Sequence, residues 1–440
     1  MTDQRMKSAR TALLWRVHWW AALVASPFAL VAALTGLLYA FTPQIEARLY
    51  GAMELVQPVE KHVSLDAMVG AAHATAPAMS QLHSVVVPAA PDESVKVTFA
   101  AGGADSGEHQ QHAGHAPAAP KKPAFGPPAG AVTYFVDPAD AKVLGSQANE
   151  ERFSQWAKRL HSRLLQGETW RWMIELATSW LMVMLLTGVA LWWPKASLPK
   201  LGKRGREAWR QWHAFFGVGF GVLTLIILTT GLTWSKYAGE EVRYLRDLTG
   251  QASPKMPRGL ASEHADPATA MSWQTALDKA RALAPGVALQ LTPPAGPHGI
   301  WKIGMAERSR PQLRFDAALD AYSGRVLYRS GWDEQTAFGK ATTVGIPFHR
   351  GEFGWWNQAL LIVFGVGTLF SLVSGWVMYF KRRKAGQLGL PKVPGGAWRA
   401  IGFGWAAGAL ACLALMPMLL LSAPCVLLAD RLLASVMARW

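Results

Sequence analysis

The hydrophobic positions of this chain gather into five long runs, which lie at residues 19–41, 174–193, 214–235, 355–380 and 401–429. Each run reaches the roughly 20 residues that an α-helix needs to cross the hydrocarbon of a bilayer. The pattern therefore predicts a membrane α-helical bundle of four core transmembrane helices and a fifth C-terminal apolar helix. In the fifth run, Pro417 and Pro424 are placed to produce a kink or a re-entrant hairpin.

The short polar segments 1–16, 194–211 and 381–399 hold sixteen of the 44 lysine and arginine residues. Short loops rich in positive charge stay in the cytoplasm, so these three segments are expected inside the cell. The long segments at about 44–172 and 236–354 then lie outside. The first run is longer than the roughly 7–15 apolar residues of a signal peptide, which favours a retained helix.

The sequence repeats itself in the order helix, outside segment, helix. Each repeat contains two histidines, and each histidine precedes a glycine within an apolar run. The spacings are 18 residues for His18–Gly36 and His213–Gly231, 27 for His161–Gly188, and 26 for His349–Gly375. Matched spacings in the same orientation predict an internal duplication.

The two outside segments share one pattern as well. Residues 64–76 and 272–284 read as short helices, and stretches of alternating apolar and polar residues follow each of them. The predicted strands are 82–87, 94–100, 132–137 and 142–145 in the first segment, and 287–291, 300–305, 313–316 and 325–329 in the second. Two small α+β modules of one type fit this pattern. A stretch rich in glycine, alanine, proline and histidine at 101–130 reads as a disordered insertion.

These observations predict six consecutive regions. They are 1–43, the N-terminus and first transmembrane helix; 44–172, the first module with its insertion; 173–236, the second and third transmembrane helices around a basic loop; 237–354, the second module; 355–399, the fourth transmembrane helix and a basic loop; and 400–440, the fifth helix and a tail.

The four histidines are the main candidates for chemistry. His18 and His213 stand at equivalent cytoplasmic helix ends, and His161 and His349 at equivalent outer ends. Imidazole is a standard axial ligand of haem iron, and two imidazoles leave no open position on the iron, which suits electron transfer. The sequence therefore predicts two iron sites across the bilayer, with other pairings on the same face left open. The competing interpretation is four interfacial histidines that bind lipid headgroups.

Three arginines lie within two residues of these histidines: Arg16, Arg163 and Arg350. Guanidinium groups bind carboxylates in two-pronged pairs, so these arginines are candidates for binding haem propionates. The four glycines would let a helix or a flat macrocycle approach the backbone closely.

These features resemble the PepSY-associated transmembrane protein family, bacterial iron-regulated inner-membrane proteins that include ferric-siderophore reductases. The resemblance lies in the helix leaders Arg16-Val17-His18-Trp19 and His349-Arg350-Gly351-Glu352, in the Thr35-Gly36 and Ser374-Gly375 motifs, and in the two outside modules. It covers about residues 10–385. The fifth run and the histidine-bearing insertion depart from the family pattern.

The resemblance implies two periplasmic PepSY modules, four core helices in the inner membrane, and b-type haem in the bundle. It also implies that His18, His213, His161 and His349 hold the haem, and that electrons reach a ferric siderophore outside and release Fe(II) for iron uptake. The chain would then be a haem-dependent oxidoreductase.

Other motifs give weaker signals. His109, His112 and His115 stand three apart in the insertion, a spacing that suits weak Cu²⁺ or Zn²⁺ binding but also a solvated linker. Glu175 at the start of the second run suits a proton relay or a group that orients a ligand, although such residues usually face the interface.

Composition narrows the function further. The net charge is +15, but only 17% of residues are charged, and long apolar runs with basic loops argue for membrane topology rather than nucleic-acid binding. The two cysteines, Cys412 and Cys425, form no CxxC motif, which excludes a thiolate haem-attachment site. No glycine-rich stretch follows a strand and opens a helix as a dinucleotide site requires. A cytoplasmic reductase or a membrane quinol is therefore the expected electron donor.

The favoured hypothesis is a transmembrane di-haem electron-transfer protein that reduces a ferric chelate. The first alternative is a haem-free membrane receptor or regulator that binds a peptide or a metal chelate through its modules. A permease is a third hypothesis, although the runs lack the mid-membrane charges that transporters show.

Overall fold

The computed structural model describes residues 3–100, 128–193, 198–200, 202, 204–263, 269–383 and 389–437. Its helices are α1 (Asp3–Ala40), α2 (Thr42–Glu54), α3 (Leu65–Thr75), α4 (Phe153–Arg163), α5 (Trp172–Trp192), α6 (Gly205–Gly219), α7 (Gly221–Thr233), α8 (Ala238–Leu248), α9 (Trp273–Leu283), α10 (Ala337–Arg350), α11 (Trp355–Arg382), α12 (Phe403–Leu415) and α13 (Pro417–Met437). Its strands are β1 (Gln81–Val87), β2 (Val95–Ala100), β3 (Val132–Val136), β4 (Val143–Ala148), β5 (Leu289–Thr292), β6 (Ile300–Met305), β7 (Phe315–Asp320) and β8 (Val326–Gly331).

The chain divides into two compact units. The helical unit comprises Met1–Phe41, Ala157–Gln251 and Val344–Trp440, and the sheet unit comprises Thr42–Trp156 and Ala252–Thr343. A helical membrane protein with β-containing modules is therefore confirmed.

The sheet unit contains one antiparallel sheet that spans both predicted modules. Within the described residues its strand order is β4-β3-β2-β1-β5-β6-β7-β8. The two four-stranded halves meet where β1 pairs with β5, with Val85 opposite Leu291 and Val87 opposite Leu289. The sequence predicted each half, but it did not predict that they share one sheet.

The core of the sheet unit also draws on both halves. Strand residues of both halves are buried together with residues of α3 and α9, and Val97, Leu291 and Ala280 have no exposed surface. The two helices are tied at their N-termini, because the Asp66 carboxylate accepts hydrogen bonds from the backbone N–H groups of Trp273 and Gln274. The predicted helices at 64–76 and 272–284 are thus confirmed within one residue at each end.

The turns that follow β3 and β7 match each other. Each starts at an aspartate, Asp137 or Asp320, and four residues later the backbone turns left-handed, at Ala141 (φ 63°) and Gly324 (φ 68°). The strand predicted at 313–316 is displaced. Strand β7 begins at Phe315 and continues to Asp320, so residues 317–320, which were expected in a turn, belong to the strand.

The helical unit contains the membrane-crossing candidates. Four described helices are long and apolar enough to span a bilayer, at Gln4–Ala40, Glu168–Trp192, Trp355–Arg382 and Pro417–Ser435. The run predicted as one helix at 214–235 is instead a pair, α6 and α7, bent by 54°. The break falls at Phe220, between Gly219 and Gly221, where two neighbouring glycines weaken helix continuity. This pair would make a fifth span if it crosses as one element.

The fifth apolar run is also divided. Helix α12 ends at Leu415 and α13 begins at Pro417, a residue that cannot donate the backbone hydrogen bond that a continuous helix requires. Helix α13 is held to two other helices, because Trp180 of α5 donates to the Ser422 hydroxyl (2.8 Å) and Trp20 of α1 donates to Asp430 (2.5 Å).

Candidate functional site

The imidazole of His18 in α1 rests against a hydroxyl–glycine pair on α5. Its Nδ1 lies 3.0 Å from the Thr187 hydroxyl oxygen. Its Cε1 faces Gly188, where a Cβ atom would stand only 3.2 Å from the ring. A larger residue at 188 would push the ring away, so the glycine makes room for the imidazole.

The other three histidines are held in the same way by a hydroxyl and the glycine that follows it. The Nδ1-to-hydroxyl distances are 3.0 Å for His161 with Thr35, 3.1 Å for His213 with Ser374, and 2.9 Å for His349 with Thr230. The glycines that face their Cε1 atoms are Gly36, Gly375 and Gly231, respectively. One local arrangement therefore occurs four times in the helical unit.

The hydroxyl groups determine which ring nitrogen carries the proton. The Thr187 hydroxyl donates to the Val183 carbonyl at 2.7 Å, so its oxygen is left to accept a hydrogen bond from Nδ1–H of His18. The same holds for His213, whose Nδ1 also lies 2.9 Å from the Ser371 carbonyl oxygen, an acceptor only. A neutral imidazole protonated at Nδ1 keeps a free electron pair on Nε2, the form that binds a metal.

The structure brings together the predicted pair at one end of the bundle. The ring centroids of His18 and His213 are 6.5 Å apart and their planes lie at 89°. Two imidazole nitrogens on opposite sides of one metal ion, each at about 2.0–2.1 Å, place the ring centroids roughly 6–6.5 Å apart. The separation of the two rings is compatible with one metal ion bound by both. Trp15 lies beside it, 6.1 Å from the His18 ring.

His161 and His349 lie at the other end, where they contact Thr35 of α1 and Thr230 of α7. Burial, followed by the charge of His161, lowers the pKa of His349 to about 4, and burial also lowers the pKa of His161. Both rings are therefore neutral at physiological pH, as a metal ligand must be. His18 and Gly36 are eighteen residues apart on α1, which puts the two histidine pairs ~27 Å apart along that helix.

The three candidate arginines have different surroundings. Arg16 donates to Asp430 (2.5 Å) and to the Pro391 carbonyl (2.6 Å), and its position two residues before His18 puts it on the opposite face of α1. Arg163 pairs with Glu168 and is likewise two residues from His161. Neither arginine therefore faces its histidine pair.

Arg350 is the candidate that stays beside a pair. It directly follows His349, and its Nε donates to the Tyr39 hydroxyl at 2.9 Å. Tyr39 lies one turn after Gly36, the glycine that faces His161. The Arg350 side chain also pairs with Glu352 at 2.9 Å. That any of the three arginines contacts a propionate stays a prediction.

Glu175 has a structural partner. It is only 1% exposed, and its carboxylate accepts hydrogen bonds from the backbone N–H groups of Tyr237 (2.8 Å) and Ala238 (2.9 Å) at the start of α8. A carboxylate is favourable there because the first N–H groups of a helix lack partners within it. The contacts support a capping role.

Sequence reasoning missed two features of this site. The first is the role of the hydroxyl residue that precedes each glycine, namely Thr35, Thr187, Thr230 and Ser374, because the sequence showed the hydroxyl–glycine motif but did not link it to a histidine ring. The second is Asp430, which lies just beyond the apolar run and contacts Arg16 and Trp20. His109, His112 and His115 lie outside the described residues. Within the described part, no group of three or more histidine, cysteine, aspartate or glutamate side chains is close enough to hold a metal ion.

Comparison with known proteins supplies the family. No characterised protein with a curated description matches the sequence significantly. The family model of the PepSY-associated TM region matches residues 15–382, more than four fifths of the chain. The matched range contains the four histidines and ends before α12 and α13. The chain therefore belongs to the PepSY-associated transmembrane family.

Proposed function

We propose that this protein is a transmembrane di-haem electron-transfer protein that reduces a ferric chelate, of the siderophore type, and so releases Fe(II) for uptake. The observation that carries the proposal is the His18–His213 pair, with ring centroids 6.5 Å apart, both Nδ1 atoms at hydrogen-bond acceptors, and neither Nε2 atom in a hydrogen bond within the described residues. A second pair at the other end, His161 and His349, supplies the matching site.

The residues fit b-type haem. Haem iron held by two imidazoles exchanges single electrons without opening a coordination position. The chain's own contribution is to fix the four rings, because each hydroxyl accepts from one ring nitrogen and each glycine leaves space for one ring. Such partners, which orient a ligand without touching the metal, typically change metal affinity by about 10–100-fold when removed.

The positions of the four histidines follow the pattern that an internal duplication would produce. In the first half, His18 rests on α5 while His161 rests on α1. In the second half, His213 rests on α11 while His349 rests on α7. Each iron site would then take one histidine from each half. The matching strand order of the sheet unit supports the same interpretation.

The orientation follows from charge. The basic segments before α1, before α6 and after α11 favour a cytoplasmic N-terminus and place the His18–His213 pair at the cytoplasmic side of a bacterial inner membrane. Electrons would enter there from a partner reductase or a membrane quinol, and the ferric chelate would be reduced on the periplasmic side. Ferrous iron binds hard-oxygen chelators more weakly than ferric iron does, so reduction releases it.

The visible spectrum of the detergent-purified protein, with a pyridine haemochromogen assay, tests the proposal. We expect two haems per chain in haem-replete cells. Alanine at His18 or His213 should remove one haem, and alanine at His161 or His349 should remove the other. His298→Ala is the control, because that histidine lies in the sheet unit and its Nδ1 contacts the Ser262 carbonyl. Colourless protein, or full haem content in all four single variants, would refute the assignment.

One observation favours the alternative of a haem-free receptor. The sheet unit has a cleft of about 410 Å³, and its lining includes Leu65, Leu277, Glu60, His62 and Arg281. Such a cleft is large enough for a short peptide segment or a small chelate. A colourless but folded protein that binds a ligand in this cleft would support the receptor instead.

A further inference from the structure

The helix α4 has an arginine face that points away from the histidine site. Arg159 and Arg163 are four residues apart, so they share one face of the helix. His161 lies two residues from each, on the other side, where it contacts Thr35. The two arginines are therefore directed away from the histidine pair and toward the surface of the helical unit.

A third arginine joins this face through one carboxylate. Glu168 accepts hydrogen bonds from Arg163 and, at 3.2 Å, from Arg171. We call Arg159, Arg163 and Arg171 the arginine cluster. The side chains of Arg163 and Arg171 remain 22% and 30% exposed.

The cluster keeps an excess of positive charge. Residues 157–171 contain four basic side chains, the cluster and Lys158, against a single acidic one, Glu168. Among the described residues, Arg159 has no acidic partner. One shared carboxylate neutralises at most one of three guanidinium charges, so the face retains a charge of about +2.

The second half of the helical unit lacks this feature. The equivalent stretch, residues 344–358, contains one arginine, Arg350, and one acidic residue, Glu352, and these two pair with each other. Both halves provide a histidine, a hydroxyl and a glycine in the same arrangement. The needs of the histidine site therefore do not explain the arginine cluster, which is present in one half alone.

Membrane orientation does not explain the arginine cluster either. On the proposed orientation the cluster lies on the outer side, where the positive-inside rule disfavours groups of lysine and arginine. A cluster that opposes the orientation signal and exceeds the needs of the histidines points to a ligand that is itself negatively charged.

We propose that the arginine cluster is the docking surface for the ferric chelate, and that it selects chelates of net negative charge. Guanidinium groups bind carboxylate and phenolate oxygens through charge-assisted, often two-pronged hydrogen bonds. An excess charge of about +2 also attracts anions over roughly 8 Å at physiological ionic strength. The inference rests on the proposed function, because it places the substrate on the other face of the helix that carries His161.

Redox-inert gallium chelates test the docking without any electron transfer. The full-length protein in phosphatidylcholine nanodiscs would be titrated by calorimetry with anionic Ga(III)–EDTA and with the cationic Ga(III) complex of desferrioxamine B. We expect the anion to bind and the cation not to bind. Arg159→Gln and Arg171→Gln should each weaken anion binding about tenfold. Arg206→Gln at the opposite end of the bundle, the matched control, should leave binding unchanged.

The outcomes separate this proposal from the proposed function. Equal binding of both chelates, or unchanged anion binding in the Arg159 and Arg171 variants, overturns the docking surface even if the protein carries two haems. Charge-selective binding that depends on these arginines in a haem-free protein supports the docking surface and refutes the electron-transfer function. Complete loss of anion binding when phosphatidylglycerol replaces phosphatidylcholine overturns the proposal, because the cluster is then a lipid site.

Discussion

At the scale of single residues, each of the four histidines has its Nδ1 at a hydroxyl group from another helix. The Thr187 hydroxyl is committed as a donor to its own helix and accepts the Nδ1–H of His18. Because a buried ring nitrogen without a partner costs about 1–3 kcal/mol, removal of the hydroxyl should loosen the ring.

Thr187→Val tests this dependence. Valine keeps the shape of threonine but cannot accept the Nδ1–H, so we expect the His18–His213 site to lose haem affinity by about 10–100-fold while the His161–His349 site keeps its haem. Haem titration of the apoprotein, followed by absorbance, measures the effect. Thr187→Ser retains a hydroxyl and should restore most of the affinity. Equal affinity in the valine and wild-type proteins would contradict the assigned role.

The sequence revealed the histidines and glycines of this site, because spacing alone exposes them. It did not reveal which hydroxyl serves which ring, since that depends on the helices that pack together. The arginines show the same limit. Arg16 is close to His18 along the chain, yet a separation of two residues turns it to the opposite face of α1, where Asp430 accepts from it.

At the scale of secondary-structure elements, two equivalent turns in the sheet unit use different residues for one backbone shape. Ala141 and Gly324 both have left-handed φ angles, 63° and 68°. A residue with a Cβ atom pays about 1–2 kcal/mol in this conformation, whereas glycine does not. The turn after β3 is therefore strained in a way that the turn after β7 is not.

Ala141→Gly should relieve this strain. After the extra entropy that glycine gains in the unfolded chain, we expect a net stabilisation of roughly 0.5–1 kcal/mol. The reverse change, Gly324→Ala, should destabilise, because φ is unfavourable and a Cβ there would approach the Met271 sulfur to 2.8 Å. Denaturant unfolding of the full-length protein, followed by circular dichroism, compares the two variants. Destabilisation by Ala141→Gly, or stabilisation by Gly324→Ala, would contradict the interpretation.

Helix α13 depends on a charged contact that lies beyond the family match. Asp430 accepts from Arg16 and from the Trp20 indole, and Arg16 is only 11% exposed. Asp430→Ala leaves that guanidinium poorly paired and should destabilise the protein by about 3–5 kcal/mol. The double variant Arg16→Met/Asp430→Leu should recover much of the loss. A double-mutant cycle of Arg16→Met, Asp430→Leu and their combination, followed by thermal unfolding in detergent, measures the coupling, and additive effects would show that the contact is unimportant.

The apolar runs predicted where the helices lie, and Pro417 predicted an interruption of the fifth run, but the bend at Phe220 was not predicted. Hydropathy averages over about twenty residues, so it cannot resolve the bend at Phe220 or the interruption at Met416. The glycines beside Phe220 and the proline at 417 were visible, but their effect depends on packing. Strands β1 to β8 were predicted within a few residues, while the pairing of β1 with β5 was not, because a strand pattern does not specify the partner strand.

At the scale of the whole molecule, the shared sheet makes one cooperative structure from two similar halves. Strand β5 of the second half pairs with β1 of the first, and residues of both halves fill one core. Neither half can unfold without exposing part of the core of the other.

Leu291→Ala should therefore weaken both halves. Leu291 has no exposed surface and lies opposite Val85, and such a truncation costs about 2–5 kcal/mol. Hydrogen–deuterium exchange in the full-length protein should show faster exchange in β3 as well as in β7. Val326→Ala in β8, where the residue is 43% exposed, is the control and should have little effect. Faster exchange in β5–β8 alone would show that the halves are independent.

The hydroxyl–glycine pair has a consequence for protein design. The pair consists of two residues on one helix that orient an imidazole from another helix. It occurs four times in the helical unit, and no loop residue takes part in these four contacts. Its parts are local: the hydroxyl is held by a carbonyl of its own helix, and the glycine only provides space. Such a unit can be transferred to any pair of helices at a similar separation, where it would present Nε2 in a chosen direction with two substitutions and one histidine.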